Sequence, residues 1–213
     1  MIKYGYFLED GENEHMKNLL TNDSNIKQGI NKKIYYIKAE KLIREANDNF
    51  IYFKDYEMAL EQVEEALRLD PENAEALIIK GNIYFCLNEM DIALECFENA
   101  LEFNPYSAEA YSLKANILDS KENPKEALKC CEKAFENLRK PEKDFLTALY
   151  DQKIAILIKL KKYKEARQAV EESYKHLGEE DSSYIDSCYR DVIEEKQKKK
   201  RIAAKRLKVV YSI

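Results

Sequence analysis

Residues 77–105 read LIIKGNIYFCLNEMDIALECFENALEFNP, and this stretch decides the fold. Its apolar residues fall at helical spacing in two blocks, one ending near Phe85 and the other running from Ile92 to Phe103, parted by the short turn Leu87-Asn88-Glu89-Met90. That pattern predicts a helix, a tight turn and a second helix folded back on the first. Pro105, which has no backbone donor and restricts the residue before it, ends the second helix. Gly81, Ala93 and Ala100 are small for a steric reason: two helix axes approach to about 8–10 Å only where the crossing side chains are short.

The same pattern repeats along the chain. A shift of 34 residues carries Ala59 to Ala93 to Ala127, Ala66 to Ala100 to Ala134, and Pro71 to Pro105. Apolar columns accompany them, with Val63, Phe97 and Cys131 in one, Leu67, Leu101 and Phe135 in another, and Ile43, Leu77 and Tyr111 in a third. A fourth copy follows after 39 residues, placing Tyr163, Ala166, Val170, Ser173 and Tyr174 where Pro124, Ala127, Cys131, Ala134 and Phe135 stand, so five residues around Glu142 to Leu146 read as inserted. The 34-residue spacing then resumes from Tyr150 to Tyr184 and from Ile154 to Cys188, giving half a further copy. A fixed period of this length means a stacked array whose neighbouring units complete each other's core.

In the best copy Leu77, Lys80, Gly81 and Tyr84, then Ala93 and Phe97, then Ala100 and Pro105 resemble the tetratricopeptide repeat, whose pattern is W-x2-L-G-x2-Y, A-x3-F, A and P. The resemblance covers about residues 40–193. Asn47 and Ile154 depart from it where Gly81 and Ala115 supply a small residue, and Arg139 and Gly178 replace the proline. It implies an all-α, right-handed superhelical solenoid of antiparallel helix hairpins, closed by a long C-terminal capping helix. The first helix of each hairpin would line a concave binding groove presenting Arg44, Asp48 and Ile51, then Ile78, Asn82 and Phe85, then Ser112, Asn116 and Asp119, then Asp151, Ala155 and Ile158. Asn82 and Asn116 stand at equivalent positions, and an asparagine amide both donates to and accepts from a peptide backbone. Family members that clamp a chaperone's C-terminal carboxylate use a Lys and an Asn, a second Asn, and a Lys with an Arg in three successive copies, where this chain has Arg44 and Asp48, Ile79, then Glu109 and Leu113. That clamp is disfavoured, and Arg44 with Asp48 reads as a local i, i+4 ion pair.

The expected layout is an irregular or partly disordered segment over 1–30, a repeat domain over 31–193 of four hairpins (about 40–73, 74–107, 108–141 and 147–180) with a capping helix from 181, and a basic helical extension over 194–213. The cap, starting near Ser182, would bury Tyr184, Ile185, Cys188, Val192 and Ile193. Charge is uneven: the net charge is −5, yet the last 18 residues carry +8, leaving −13 on residues 1–195. Lys198, Lys199, Lys200, Arg201, Lys205 and Arg206 in that tail could meet nucleic acid, an acidic protein or an anionic membrane surface, or form a solvated helix end. Leu207, Val209, Val210, Tyr211 and Ile213 add an apolar tip suited to self-assembly.

Composition narrows the chemistry. Five glycines, all far apart, preclude phosphate-cradling loops, and two histidines, His15 and His176, fit no usual zinc arrangement. Five cysteines without a CxxC lie in apolar-periodic segments and read as reduced core thiols, Cys131 included although it adjoins Cys130. The longest aliphatic run, Ile154 to Ile158, is far too short to span a bilayer, and residues 1–15 resemble no secretion signal, so a cytoplasmic location is expected. The sequence points to a non-catalytic scaffold without cofactor or metal, binding a protein segment in its groove, with the basic tail and the apolar tip as alternative contacts.

Overall fold

The computed structural model describes residues 24–178 together with Ile185, Ser187, Tyr189, Arg190, Ile193, Glu194, Lys198 and Lys199, with side chains from Lys32 onward. Among the described residues eight α-helices follow one another and no strand occurs: α1 (Ser24–Asp48), α2 (Tyr56–Leu69), α3 (Ala74–Cys86), α4 (Met90–Phe103), α5 (Ala108–Ser120), α6 (Pro124–Glu136), α7 (Lys143–Lys159) and α8 (Tyr163–Leu177). A π-helical turn, Asn49–Phe53, extends α1. The chain forms two compact units, Met1–Ile79 and Lys80–Ile213.

The first unit is built on the pair α1 and α2. Ala39, Ile43 and Ala46 of α1 and Ala59, Val63 and Ala66 of α2 are buried, and Asn49 Nδ2 donates to Gln62 Oε1 at 2.8 Å. Lys38 and Arg68 both donate to the Glu65 carboxylate, which holds its pKa below the ordinary value. α1 starts at Ser24, inside the segment expected to be irregular. That expectation rested on the lost 34-residue register and on the turn-forming residues Asp10-Gly11-Glu12-Asn13 and Thr21-Asn22-Asp23-Ser24, and a segment outside the repeat can still be helical: no proline interrupts 24–48.

In the second unit α4 packs on α5, α5 on α6, α6 on α7 and α7 on α8, and α5 also touches α7. Gly81 shows why small residues hold their columns. A Cβ there would lie 2.5 Å from Phe97 Cε1, inside contact distance of a ring that is itself wholly buried. The main core runs through Leu128, Cys131, Leu149, Ile154, Leu157 and Val170, and Ile185 and Ile193 join it from the helical residues beyond α8. Tyr184, Cys188 and Val192, also expected there, lie outside the described residues.

Two kinds of connector recur. Between hairpins, Asn73 N–H donates to Asp70 O at 3.3 Å across Pro71, and Ser107 N–H donates to Asn104 O at 3.2 Å across Pro105. Asn73 Oδ1 and Ser107 Oγ then cap α3 and α5 by accepting from the Ala76 and Ala110 amides. Within hairpins the chain turns through one left-handed residue: Lys54, Asn88, Glu122 and Lys161, with φ between 56° and 64°. These follow the 34, 34 and 39 spacing of the alanine columns. At the last three, crossed bonds close the helix end: Asn88 and Glu89 N–H donate to Phe85 and Tyr84 O, Glu122 and Asn123 to Asp119 and Leu118, and Lys161 and Lys162 to Ile158 and Leu157.

The extra five residues are now accounted for. α7 has 17 residues where α3 and α5 have 13, so roughly one added helical turn of 3.6 residues absorbs most of them, and the connector from α6 takes the rest.

Gly81→Val should destabilise the fold by about 1–3 kcal/mol, because Phe97 has no room to retreat; urea unfolding monitored by circular dichroism measures it. Lys161→Gly should have the opposite sign, stabilising by about 0.5–1 kcal/mol, since relief of left-handed strain exceeds the entropy that glycine loses. An unchanged or lowered midpoint for Lys161→Gly would contradict the strain argument.

Candidate functional site

The face of interest in the second unit is made by the first helices of successive hairpins. α5 and α7 are joined by polar side chains. Gln152 Nε2 donates to Ser112 O at 2.9 Å and to Asn116 Oδ1 at 2.6 Å, and Ser112 Oγ donates to Gln152 Oε1 at 3.1 Å. One turn further on, Lys159 Nζ reaches Asp119 Oδ2 at 2.5 Å, while Asp119 Oδ1 is closed off from solvent without a partner among the described residues. Lys153, over the Phe135 ring at 4.9 Å and 3.6 Å from Glu172, braces α7 against its neighbours.

This geometry redistributes the expected contacts. Asn116 is exposed, but its carbonyl is engaged by Gln152, so its amide NH2 is what it offers outward. Ser112 is committed to Gln152 and half-buried. Asp151 accepts from Tyr189 Oη at 2.8 Å and so anchors the helical residues beyond α8. Asn82 and Phe85 on α3 are half-buried, and the Asn82 amide has no partner among the described residues. Ala155 and Ile158 are also half-buried.

In the first unit, Arg44 and Asp48 are exposed, but the i, i+4 ion pair does not form among the described residues: Arg44 Nε donates to the Glu40 carbonyl at 3.4 Å. A backbone oxygen one turn back lies within easier reach of the guanidinium than a carboxylate at the helix end. Ile51 is exposed in the π-helical turn. Ile78 is 7% exposed and belongs to the interior, as its aliphatic side chain favours once neighbouring helices close over it. Lys198 and Lys199 are helical and exposed, whereas Lys200, Arg201, Lys205 and Arg206 lie outside the described residues.

One contact between reactive groups was not legible from spacing. Tyr150 Oη lies 2.6 Å from His176 Nδ1, joining α7 to α8 across 26 residues of sequence. Burial pushes the Tyr150 phenol up to about 12, the reverse of what a nucleophile or general base needs. Cys131 is wholly buried, its thiol directed at Leu149 O at 3.9 Å and pushed up to about 12 by burial, while burial also raises Cys96 and Cys130. Thiolate chemistry at the vicinal Cys130-Cys131 pair is suppressed by that environment.

These shifts fix a pH dependence. Cys131 and Tyr150 sit above their ordinary values of 9.0 and 10.0 in the folded chain, so the folded state holds protons that the unfolded state releases. Their stabilising contribution is complete below about pH 9 and is lost as pH rises toward 12. Thermal unfolding should therefore shift downward above pH 9, and Cys131→Ala should flatten the first part of that decline. Thiol labelling of the native chain at pH 8 should modify exposed Cys86 well before Cys131; equal rates would contradict the buried assignment.

Family models for the tetratricopeptide repeat match residues 74–107 and 108–137. No curated protein matches the chain in sequence. Among solved structures, the chain resembles YrrB, described as a tetratricopeptide protein with an unusual peptide-binding site, at 23% identity and TM-score 0.55, over 73% of this chain and 78% of that one. It also resembles the first tetratricopeptide domain of Spaghetti (RPAP3) bound to the HSP90 peptide SRMEEVD, at 21% identity and TM-score 0.53, over 59% and 94%. The type III secretion translocator chaperone SycD of Yersinia enterocolitica is similar at 22% identity and TM-score 0.53, over 57% and 93%. The two matched repeats cover residues 74–137, and the likenesses carry the fold: the chain contains tetratricopeptide repeats at 74–137 and shares the fold of the proteins named above.

Proposed function

We propose that the chain is a non-catalytic adaptor that takes a protein segment along the first-helix face of its repeats. The tetratricopeptide fold is in general a protein-interaction fold, and the neighbours named above include one bound to an HSP90 peptide. The observation that supports the reading here is the Ser112–Gln152–Asn116 network, which fixes α5 against α7 and leaves the exposed Asn116 NH2 directed away from its own bonding. Asn82, at the equivalent position, has its whole amide available among the described residues. Phe85 and Ile158 add apolar surface at half-buried sites. A segment gripped this way would be read through backbone amides and apolar side chains more than through charge.

A chaperone-tail clamp remains disfavoured in this proposal, because Ile79 is buried and Arg44 is held by its own helix. A cytoplasmic setting belongs to the proposal too; the structure contributes only that no helix among the described residues is long and apolar enough to cross a membrane.

Asn82→Ala with Asn116→Ala should weaken partner capture by about tenfold, the equivalent of two modest hydrogen bonds, with helix content unchanged. The measurement is capture from nuclease-treated extract by the whole chain, by the double variant and by a chain ending at Glu195, with retained proteins identified by mass spectrometry. Retention that ignores the asparagines but requires the tail would transfer the function to the basic extension.

A further inference from the structure

α1 carries a second apolar seam that its own hairpin does not use. The hairpin buries Ala39, Ile43 and Ala46. Ile34 and Ile37 fall on the opposite side of the helix, two residues out of step with that seam, and are 53% and 57% exposed. The sequence continues the spacing with Ile30 and Ile26 in the same helix. Toward the C-terminus the stripe ends at Lys41, Arg44 and Asp48, all exposed.

Charge says what could cover it. Residues 24–41 hold five lysines and one glutamate, a net +4 within a chain of −5. Lys33 is exposed beside the seam, and Lys38 and Lys41 remain 55% and 71% exposed even though Glu65 and Glu45 pair with them. Width says more. Tyr35 and Tyr36 on the same turn are also 52% and 54% exposed, but Lys32, Lys33, Lys38 and Lys41 are spread round the helix and leave no broad lysine-free face of the kind a helix lying in a bilayer surface needs; the isoleucines alone line up as a narrow helix-pairing seam. A second copy would bring lysine-flanked seams together, which like charges oppose.

We propose that the Ile34–Ile37 seam of α1 docks an acidic amphipathic helix of a partner protein, with isoleucines meeting the partner's apolar stripe and Lys33, Lys38 and Lys41 meeting its flanking carboxylates. The proposal does not rest on the reading of residues 80–178.

The test uses the full chain and a fluorescein-labelled, 21-residue helical peptide with leucine at the a and d positions and glutamate at e and g of each heptad. Fluorescence anisotropy should show saturable binding at micromolar protein, weakened at least tenfold by Ile34→Ser with Ile37→Ser and weakened further at higher salt. Lys33→Glu should also reduce binding, and a peptide with lysine in place of glutamate should restore it to that variant. Circular dichroism of the serine variant should match the parent, since both side chains are more than half exposed. Asn82→Ala in the same assay should change nothing, which separates this seam from the first-helix face proposed above. Absence of peptide binding, or binding indifferent to Ile34 and Ile37, overturns the proposal. So does cosedimentation with phosphatidylserine vesicles or a doubled mass in solution that the serine variant abolishes, because the seam would then belong to a membrane or to a second copy.

Discussion

Close approach of helix backbones is the constraint on which the rest of this chain depends. In each hairpin the crossing is made at two positions seven residues apart, Ala59 and Ala66, Ala93 and Ala100, Ala127 and Ala134, Ala166 and Ser173, all of them essentially inaccessible to solvent. Larger side chains there would push the axes apart and strip the contacts that fill the column between them. Ser173 tests the rule from the polar side. It occupies an alanine place with a hydroxyl that has lost water, and it satisfies that hydroxyl by donating to Val170 O at 2.7 Å within its own helix. The column thus selects for size first, and polarity is accommodated locally.

The recurrent turn is a consequence of the same closeness. Two helices this near must be joined by very few residues, and the crossed carbonyl bonds that stop one helix and start the next demand one left-handed residue. Glycine would adopt that conformation without cost, yet Lys54, Asn88, Glu122 and Lys161 hold it, so the hairpin absorbs the strain through its buried columns. The five-residue insertion leaves the turn and the columns untouched because it enters as roughly one helical turn plus a slightly longer connector. Added by the turn, residues preserve which side of α7 faces inward; the same number added to the hairpin turn would have rotated every following side chain.

The repeat period made the hairpins legible because the crossing positions can accept so few residue types. Polar pairings were less legible because nothing in a period says which long side chains will find each other. Asn82 and Asn116 share a column, yet only Asn116 is bonded across the helix pair, since Gln152 comes from the next first helix and has no equivalent set by the register. Asp151 was placed in the groove by the resemblance, which says nothing of Tyr189 reaching it from 38 residues away. Ile78 was assigned to a groove by column as well, and the structure buries it. α1 escaped in a different manner: its upstream half lies outside the period, and a register comparison has no means of detecting a helix that does not repeat.

The difference between the two asparagines has a consequence for how a segment could lie in the adaptor reading. An amide with its carbonyl engaged can only donate, so Asn116 would meet a partner carbonyl, while Asn82 could meet a carbonyl and an N–H together. A two-sided contact at one end and a donor-only contact at the other is polar in direction. A segment entering in reverse would still have carbonyls for Asn116, but its backbone would present the wrong pairing at Asn82, and a half-buried amide left partly unsatisfied costs more than the bond it fails to make. Directionality would therefore arise from Gln152, a residue that need not touch the partner at all.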